Sequence, residues 1–483
     1  MVMRYYQRMT ILICTLLLAA CSSFPPNPPL AKYDPAAGYR FDQLEQGTNS
    51  DELFVILSFS GGGMRAAALS FGVMEALRDT LIDWNQRKVS LLDEVDVISS
   101  ISGGSFPAAY YALYGSRIFD EFPDKFLYRP IQSDLLMQFF RPFNLVKLAS
   151  PSFGRSDLAA EFYNHEVFSG GTYADVIKRG RRPFVILNAT DMSKGTQFSF
   201  VQDQFDLLCS NLSGVPLARA VAASSAYPGG LTPLTFQNYA GSCQYRQPKW
   251  VELAAKDHAS RINPRRTARA EERLSLTAEG AERRDYIHLT DGGVADNLGL
   301  RGPLMAITST NYSWSVLQML NDKKVNKLVV ITVNAATDPA TKRDKTPNVP
   351  GLIDTLTAAA TVPLDNYSFD TLELLTATVR EFNQEAQLIE SCEKLASTKG
   401  EQCALNIQMP HRVKLFPVRV SFDYISDAEE RAWFKNIPTS FELPRKTIDR
   451  LRAIGRKLLS EDPFFKKLMQ ELQICLSSSK DIC

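Results

Sequence analysis

Two consecutive units of strand, glycine-containing turn and helix constrain the fold of this chain more than any other feature. In the first unit, the apolar strand Leu53–Phe59 leads through three glycines into a helix with one apolar face over 66–77. In the second, a β-branched strand that starts at Val95 leads through two glycines and Ser105 into a helix. That helix has Pro107 in its first turn, where a missing N–H costs nothing. Two such units in succession predict an α/β fold whose mainly parallel central sheet is covered by helices.

Ser105 stands in the turn of the second unit, between the strand and the helix. This layout is that of a nucleophile elbow, in which a strained turn lifts a serine hydroxyl clear of the sheet. Turns that contain glycine and serine are also common between strands and helices that carry no chemistry. The stretch alone therefore leaves catalysis and a simple connection as open alternatives.

A serine nucleophile needs a base, and Asp291 is the best candidate for it. Asp291 ends an apolar strand and enters a Gly-Gly turn, so we expect its carboxylate at the same sheet edge as Ser105, where α/β folds place their sites. A buried carboxylate with a raised pKa can act as a base. A simple turn is the alternative for Asp-Gly-Gly alone. The chain has four histidines, none of them in a setting expected for a catalytic base: His165, His258, His288 and His411.

Gly61, Gly62 and Gly63 precede the first helix and offer consecutive backbone N–H groups that could hold an anion. Arg65 adds a fixed positive charge beside them. A nucleotide phosphate loop would need Gly-Lys-Ser/Thr at this point, and a dinucleotide site would need G-x-G-x-x-G with a matching ribose acid. The sequence has neither here. An oxyanion hole suits the loop better, because the loop lies on the strand that precedes the serine unit.

Taken together and in this order, the three motifs resemble those of the patatin-like phospholipase family. Residues 61–65 read Gly-Gly-Gly-Met-Arg, similar to the family's G-G-G-x-R loop. Residues 103–107 read Gly-Gly-Ser-Phe-Pro, which we align with its G-x-S-x-G serine motif, and residues 291–293 read Asp-Gly-Gly, similar to its aspartate motif. In this alignment Pro107 stands where the family has a small residue. The resemblance covers roughly Leu53 to Pro303.

The resemblance implies a three-layer α/β/α patatin-like fold with a C-terminal extension of helices and strands. It also implies a serine-dependent lipid acyl hydrolase with no cofactor and no metal. Ser105 would be the nucleophile and Asp291 the base of a Ser-Asp dyad. The N–H groups of Gly61, Gly62 and Gly63 would stabilise the oxyanion, with Arg65 shaping their loop. Two alternatives are an acyltransferase that uses the same dyad, and a patatin-fold envelope lipoprotein with a binding or scaffold role and little catalysis.

The N-terminus has the pattern of a bacterial lipoprotein signal, predicted as residues 1–20. Basic residues precede an apolar run that is shorter than the roughly 18–20 residues needed to span a bilayer. Residues 18–21 read Leu-Ala-Ala-Cys and resemble a lipobox, which predicts lipid attachment at Cys21. An ordinary signal peptide with an incidental cysteine is the alternative. Ser22 favours the outer membrane, facing the periplasm, if the organism has one, so we expect a lipid-anchored protein of the cell envelope.

Six cysteines follow Cys21, and an oxidising compartment makes disulfides their expected use. Six cysteines allow fifteen pairings, among which the sequence alone cannot select. Proximity along the chain suggests one set as a hypothesis: Cys209 with Cys243, Cys392 with Cys403, and Cys475 with Cys483. The sequence has no Cys-x-x-Cys pair, which disfavours a zinc or redox site.

The remaining sequence divides into regions around this core. Residues 21–50 are proline-rich and predicted as an extended tether, 51–305 as the catalytic core, and 306–483 as a C-terminal part packed on the same domain. Within the core, about 246–285 is strongly charged and predicted as a solvated, partly disordered insertion. A role in holding anionic headgroups is the alternative. The irregular, aromatic-rich residues 122–157 could be a packed insertion, a lid or an interfacial patch.

The charge balance adds little to the choice of partner. The formal net charge of +1 gives no reason to expect a nucleic-acid partner. We expect the partner to be a membrane phospholipid or another acyl-ester lipid as substrate. The membrane, reached through the N-terminal lipid, would raise the effective concentration of that substrate.

Overall fold

The computed structural model describes residues 24–47, 49–84, 87–256, 264–321, 325–338, 344–345, 347–399 and 413–477. Its strands are β1 Leu53–Phe59, β2 Leu81–Trp84, β3 Arg87–Ser90, β4 Val95–Ile101, β5 Phe184–Asp191, β6 Thr196–Ser199, β7 Leu234–Gln237, β8 Tyr286–Asp291, β9 Lys327–Asn334 and β10 Lys414–Ser421. Its first nine helices are α1 Gly63–Asp79, α2 Ser105–Tyr114, α3 Ile118–Phe122, α4 Ile131–Phe139, α5 Pro142–Leu148, α6 Arg155–Glu166, α7 Tyr173–Arg179, α8 Gln202–Phe205 and α9 Leu217–Ser224. The later helices are α10 Lys249–Lys256, α11 Pro264–Leu276, α12 Gly293–Asp296, α13 Arg301–Thr308, α14 Val316–Asn321, α15 Leu352–Lys399, α16 Ala428–Lys435, α17 Arg445–Glu461 and α18 Pro463–Ser477.

One mixed sheet organises the molecule. Its strand order is β10-β9-β1-β4-β5-β8-β7, with β6 also paired to β5, while β2 and β3 form a separate hairpin. The pairs from β10 to β5 are parallel, and β8, β7 and β6 are antiparallel to their neighbours. Strands β1, β4, β5 and β9 are buried along their whole length, which explains why apolar residues predominate in them. The predicted mainly parallel sheet is confirmed.

Helices cover the sheet and complete three α/β/α layers, as predicted. Helix α1 packs against α17 at a close crossing where neither helix carries a side chain. A Cβ on Gly72 would lie 2.3 Å from the Arg452 backbone oxygen, and Gly455 makes the corresponding close approach from α17. The long helix α15 lies against β10 and buries Leu375 and Val379. The small-residue helix α9 is buried against β5 and β8.

The C-terminal part of the chain contributes to this sheet. Strands β9 and β10 extend it beyond β1, so the sheet combines sequence from both ends of the described chain. The 48-residue helix α15, which contains Pro363, precedes β10. The sequence pattern of residues 352–399 did not predict this helix.

The charged insertion differs from the solvated, partly disordered segment that we predicted. Its described part forms helices α10 and α11, which bury Val251, Ala254 and Ala270 in a small apolar cluster of their own. The residues 257–263, which include the start of the basic run, lie outside the described residues. A short amphipathic helix pair therefore stabilises this part of the insertion.

The predicted tether is in contact with the core from Phe24 onward, where the Phe24 ring lies 6.0 Å from the ring of Tyr286. The Asn27 side chain donates to Ser210 Oγ at 2.8 Å, and the Leu30 N–H donates to the Cys209 carbonyl at 2.7 Å. Tyr39 is fully buried. Hydrogen bonds and buried side chains thus hold residues 24–47 on the domain.

One predicted disulfide lies within the described residues and is confirmed. Cys209 and Cys243 are joined, with their Cα atoms 5.4 Å apart. Cys392 is also disulfide-bonded. Cys21, Cys403 and Cys483 lie outside the described residues, and the side chain of Cys475 is not described, so the other pairings and the lipid site stay predictions.

Among the residues of the ranges given above, no helix is long and apolar enough to cross a bilayer.

Candidate active site

Ser102 occupies a strained turn at the end of β4. It has a φ of +49°, which is rare for a residue with a side chain, and it opens a short 3₁₀ turn, Ser102–Gly104, that continues directly into α2. The two glycines that follow are required by close contacts. A Cβ on Gly103 would lie 2.0 Å from the Gly63 carbonyl oxygen, and one on Gly104 would lie 2.7 Å from the Phe59 Cβ. This strand, turn and helix therefore have the geometry of a nucleophile elbow, with Ser102 at the turn.

The Asp291 carboxylate is bonded to this serine. Ser102 Oγ donates to Asp291 Oδ2 at 2.8 Å, and the Gly293 N–H donates to Asp291 Oδ1 at 2.8 Å. Strand register brings the two residues together, because Ile101 faces Asn188 of β5 and Asp291 faces the next residue of β5. The end of antiparallel β8 therefore meets the first residue after β4.

Burial decides the proton affinity of Asp291. Asp291 is 5% exposed and Ser102 is 7% exposed. Burial raises the pKa of Asp291 to about 6, although the hydrogen bonds from Gly293 and Ser102 act in the opposite direction. A carboxylate with this pKa is ionised at neutral pH and still basic enough to take a proton from an adjacent hydroxyl.

Ser224 of α9 holds the backbone of the elbow. Its Oγ accepts from the Ser102 backbone N–H at 2.9 Å and donates to the Asn188 carbonyl at 2.6 Å. The Asn188 side chain in turn donates to Ser99 Oγ at 3.1 Å and to the Ser100 carbonyl at 3.2 Å. A buried network of small polar side chains thus fixes the backbone that carries Ser102.

The structure does not bring Ser105 to Asp291, contrary to the predicted dyad. Ser105 is fully buried at the start of α2, and its Oγ lies 2.9 Å from Ser224 Oγ and 3.2 Å from Ser100 Oγ. The strand ends at Ile101, so at Ser105, four residues later, the chain is already helical and the hydroxyl points into the supporting network. Ser105 therefore helps to hold the elbow and does not meet the base.

The sequence contained a signal for Ser102 that our alignment passed over. Residues 100–104 read Ser-Ile-Ser-Gly-Gly, which fits G-x-S-x-G with serine in place of the first glycine. The last position of this frame is Gly104, whose missing side chain the structure requires. In this frame Pro107 no longer occupies the crowded position, and its place in the first turn of α2 is unstrained.

The glycine loop lies beside the elbow, as the contact between Gly103 and Gly63 shows. Gly62 and Gly63 have φ of +136° and +59°, which other residues rarely adopt. Within the described parts of the chain, neither of their N–H groups has a hydrogen-bond partner, whereas the Gly61 N–H donates to the Asn297 carbonyl at 3.0 Å. Gly62 and Gly63 can therefore offer donors to an anion, and Gly61 cannot.

Arg65 fixes the surroundings of this loop. Its guanidinium donates to the Ala335 carbonyl at 2.8 Å, to the Ile437 carbonyl at 2.5 Å and to Thr439 Oγ1 at 3.1 Å. Burial lowers the pKa of Arg65 to about 10, so it remains charged at neutral pH. It ties the start of α1 to the end of β9 and to the loop that precedes α17. Its role is to hold the loop.

The other candidate groups lie elsewhere. His165 is exposed and bonded to Glu166, and His288 is exposed and bonded to Thr235. His258 and His411 lie outside the described residues. Across the described ranges, no group of three or more histidine, cysteine, aspartate or glutamate side chains is placed to hold a metal ion.

The fold and the site together define a class: a three-layer α/β/α protein with a serine and a buried aspartate at a strand–turn–helix elbow. The chain belongs to the patatin-like phospholipase family, whose family model matches residues 57–304, more than half of the sequence. Ser102, Asp291 and the glycine loop all lie within the matched range. No curated protein sequence matches the chain significantly.

Solved structures similar to this one include a human and a bacterial protein. Human GIVD cytosolic phospholipase A2 is 11% identical, with a TM-score of 0.39 over 88% of this chain and 61% of that chain. VipD from Legionella pneumophila is 10% identical, with a TM-score of 0.27 over 92% of this chain and 71% of that chain. The present chain thus spans about three fifths of the human protein.

Proposed function

We propose that this protein hydrolyses acyl esters of lipids, with Ser102 as the nucleophile and Asp291 as its base. The observation that carries this proposal is the 2.8 Å hydrogen bond from Ser102 Oγ to Asp291 Oδ2 at a buried elbow. Its position within the range matched by the patatin-like phospholipase family supports a lipid substrate.

The reaction follows from the groups around this pair. Ser102 Oγ attacks the ester carbonyl carbon, and Asp291 takes the Ser102 hydroxyl proton as the new bond forms. The carbonyl oxygen becomes an oxyanion, which accepts from the N–H groups of Gly62 and Gly63. The ester bond breaks, and the leaving alcohol receives the proton from Asp291.

The acyl-enzyme is then hydrolysed by the same groups in reverse. Asp291, again ionised, accepts a proton from a water molecule that attacks the acyl carbon. The second oxyanion collapses and releases the fatty acid, and Ser102 takes the proton back from Asp291. If an alcohol replaces the water, the product is a new ester, which is the acyltransferase alternative.

A lipid surface is the substrate form that the exterior of the molecule favours. Helices α4 and α5, which we call the apolar hairpin, expose five large apolar side chains within ten residues: Leu136, Met137, Phe140, Phe143 and Leu145. The two phenylalanines are 73% and 72% exposed. Clusters of this kind are rare on soluble monomers and typical of surfaces that enter a membrane interface.

The apolar hairpin also adjoins the glycine loop. Gln132 of α4 accepts from Ser440 Oγ at 2.8 Å, and the Ser440 carbonyl accepts from the Met64 N–H at 2.7 Å. Only the short segment around Ser440 therefore separates the hairpin from the start of α1. Docking of the hairpin on a lipid surface would place the elbow next to that surface.

The membrane attachment and location remain part of the proposal. Lipid on Cys21 would lie six residues before Asn27, where the chain already contacts the core, so the domain would be held close to the membrane. The location proposed is the cell envelope, at the periplasmic face of the outer membrane if the organism has one. An envelope scaffold with little catalysis is the alternative to hydrolysis.

Activity measurements on matched variants test the proposal. Wild-type protein, Ser102→Ala, Asp291→Asn and Ser105→Ala are assayed with p-nitrophenyl esters and with phospholipid vesicles. We expect losses on the order of 10³-fold or more for the first two variants and retained activity for Ser105→Ala. A fluorophosphonate probe should label Ser102. Labelling of Ser105, or wild-type activity in Ser102→Ala, would refute the assignment, and an inactive, unlabelled wild-type protein would favour the scaffold.

Product analysis separates hydrolysis from transfer. With vesicles and added lyso-lipid or glycerol, a hydrolase releases free fatty acid. A new ester that requires Ser102 would show that acyl transfer is the principal reaction.

A further inference from the structure

A cavity lies apart from the elbow, and neither Ser102, Asp291 nor the glycine loop lines it. It has a volume of about 490 Å³ and is bounded by β6, the insertion helix α11, helix α13 and the long helix α15. This volume is in the range of small-molecule sites. Its polar and aromatic lining includes Arg269, Glu272, Arg273, Arg301, Tyr312 and Trp314.

Four arginines line this cavity without ion-pair partners among the described residues: Arg265, Arg269, Arg273 and Arg301. The acidic lining does not neutralise them. Asp203 is paired with Arg40 at 2.8 Å, and Asp370 is exposed. Burial raises the pKa of Glu272 to about 7, so part of its charge is absent near neutral pH. The cavity is therefore electropositive.

Arg269 is held in position by its neighbours. Its guanidinium nitrogens donate to Ser309 Oγ at 3.1 Å and to the Asn311 carbonyl at 3.2 Å. Its guanidinium carbon lies 5.3 Å from the ring centres of both Trp250 and Tyr312. A guanidinium fixed in this way, with donors left over, can bind an oxyanion at a small cost in side-chain entropy.

We propose that this cavity binds a phosphate ester, with the phosphate group on the arginines and the rest of the ligand on the aromatic and apolar wall. Guanidinium forks match phosphate oxygens in geometry and charge. The rings of Tyr312 and Trp314 and the side chain of Leu304 provide that wall. The phosphate ester is either a phospholipid headgroup or a soluble phosphate monoester, which present the same chemistry to the arginines.

The wall of the cavity is joined to the support of the elbow. Gln197 Nε2 and Ser199 Oγ, which both line the cavity, donate to Asn188 Oδ1 at 2.6 and 2.8 Å. Asn188 also accepts from Ser224, the residue that holds the Ser102 N–H. Binding is therefore best measured by a method that does not depend on ester hydrolysis.

Calorimetric titration of the intact protein tests the site. Inorganic phosphate and glycerol 3-phosphate are titrated into wild-type protein, Arg269→Gln, Arg301→Gln and the control Arg283→Gln. Arg283 has a side chain that is 89% exposed and lies outside the cavity. We expect the two cavity variants to bind at least about tenfold more weakly, since each removes a charged donor, and the control to bind as wild type does.

Two further comparisons complete the test. Arg301→Gln keeps the proposal falsifiable if Arg269→Gln fails to fold, because Arg269 also packs against Trp250. Tighter binding of phosphatidylglycerol micelles than of glycerol 3-phosphate identifies the headgroup as the source, and the reverse identifies a soluble ester. No binding of either at millimolar concentration, or equal binding in cavity variants and wild type, overturns the site. The Ser102→Ala variant should bind as wild type does, so failure here is distinct from failure of the hydrolase proposal.

Discussion

Asp291 illustrates at the scale of one residue how burial sets chemistry. The carboxylate has lost most of its contact with water and has gained only two donors, Ser102 Oγ and the Gly293 N–H. No described cation is bonded to it, so desolvation dominates and its pKa rises to about 6. This value matters for both activity and stability, with opposite consequences.

Activity should rise with pH through the pKa of Asp291. Only the ionised carboxylate can accept the Ser102 proton, so kcat/KM for a soluble ester should increase about tenfold per unit below pH 6 and level off above about pH 7. The measurement is a pH–rate profile on a p-nitrophenyl ester with fixed ionic strength. Residual activity of Asp291→Asn should lack this titration. A wild-type profile that is flat from about pH 5 to pH 8 would contradict the assignment.

Stability should change in the opposite direction at the same residue. The pKa of Asp291 is raised from 3.8 to about 6, so the folded protein binds a proton at this carboxyl more tightly than the unfolded chain does. The resulting contribution to the free energy of unfolding is present at acid pH and is lost as the pH rises through about 6. Asp291→Asn should therefore stabilise the protein above pH 7 by a free energy of unfolding on the order of 2–3 kcal/mol, with little effect near pH 4.

Urea unfolding at the two pH values measures this difference. Asp83→Asn is the matched control, because Asp83 is exposed in β2 and its replacement should change stability by no more than about 0.5 kcal/mol. Equal destabilisation by Asp291→Asn at both pH values would show that its hydrogen bonds outweigh its desolvation.

The residues of the site were only partly predictable from sequence. Asp291 and the glycine loop were found because each follows a clear apolar strand. The choice between Ser102 and Ser105 depended on where β4 ends, and a local pattern does not fix an element boundary to within three residues. Backbone strain at Ser102 and the packing of Gly103 on Gly63 decide it, and both are tertiary facts.

At the scale of elements, the apolar hairpin is unusual because its large apolar side chains are exposed and not packed against the core. Its five exposed apolar side chains lie within α4, α5 and the turn between them. Their sequence region could have been a packed insertion, and only the exposure of Phe140 and Phe143 distinguishes that alternative from an interfacial patch.

Replacing the two exposed phenylalanines tests this surface. Phe140→Ser with Phe143→Ser should reduce vesicle binding and hydrolysis of vesicle lipids by about tenfold or more, because each ring contributes roughly 1.5–3 kcal/mol when buried. Hydrolysis of a soluble ester should be unchanged. Phe464→Ser is the control, since Phe464 is 40% exposed in α18, away from the hairpin. Equal loss on soluble and vesicle substrates would place the effect in the fold and not in docking.

Other elements show where sequence patterns stop being sufficient. The central strands were predictable because strands buried on both faces are continuously apolar. The direction of β8 was not, because its pattern is the same whether it runs parallel or antiparallel to β5. The helix α15, with Pro363 inside and only part of one face buried, lacks the period that would identify it.

At the scale of the whole molecule, distant parts of the chain hold the site. Arg65 and Met64 donate hydrogen bonds to the segment that precedes α17. Arg65 also donates to the carbonyl of Ala335, the residue that follows β9. The N-terminal segment is held by hydrogen bonds to the two cysteines of the disulfide. The Leu30 N–H donates to the Cys209 carbonyl and the Tyr33 N–H to the Cys243 carbonyl, at 2.7 and 2.8 Å.

This arrangement gives the Cys209–Cys243 disulfide a predictable effect. The bridge closes a loop with a sequence separation of 34 residues, and loss of a crosslink of that size should cost about 3–4 kcal/mol of unfolding free energy. The variant is Cys209→Ala with Cys243→Ala, since chemical reduction would also affect Cys392, which is disulfide-bonded. Urea unfolding measures the loss. Soluble-ester activity at 25 °C should persist, because neither cysteine is bonded to Ser102 or Asp291. Stability equal to wild type would contradict this prediction, because the crosslink should restrict the unfolded chain whatever hydrogen bonds form in the folded one.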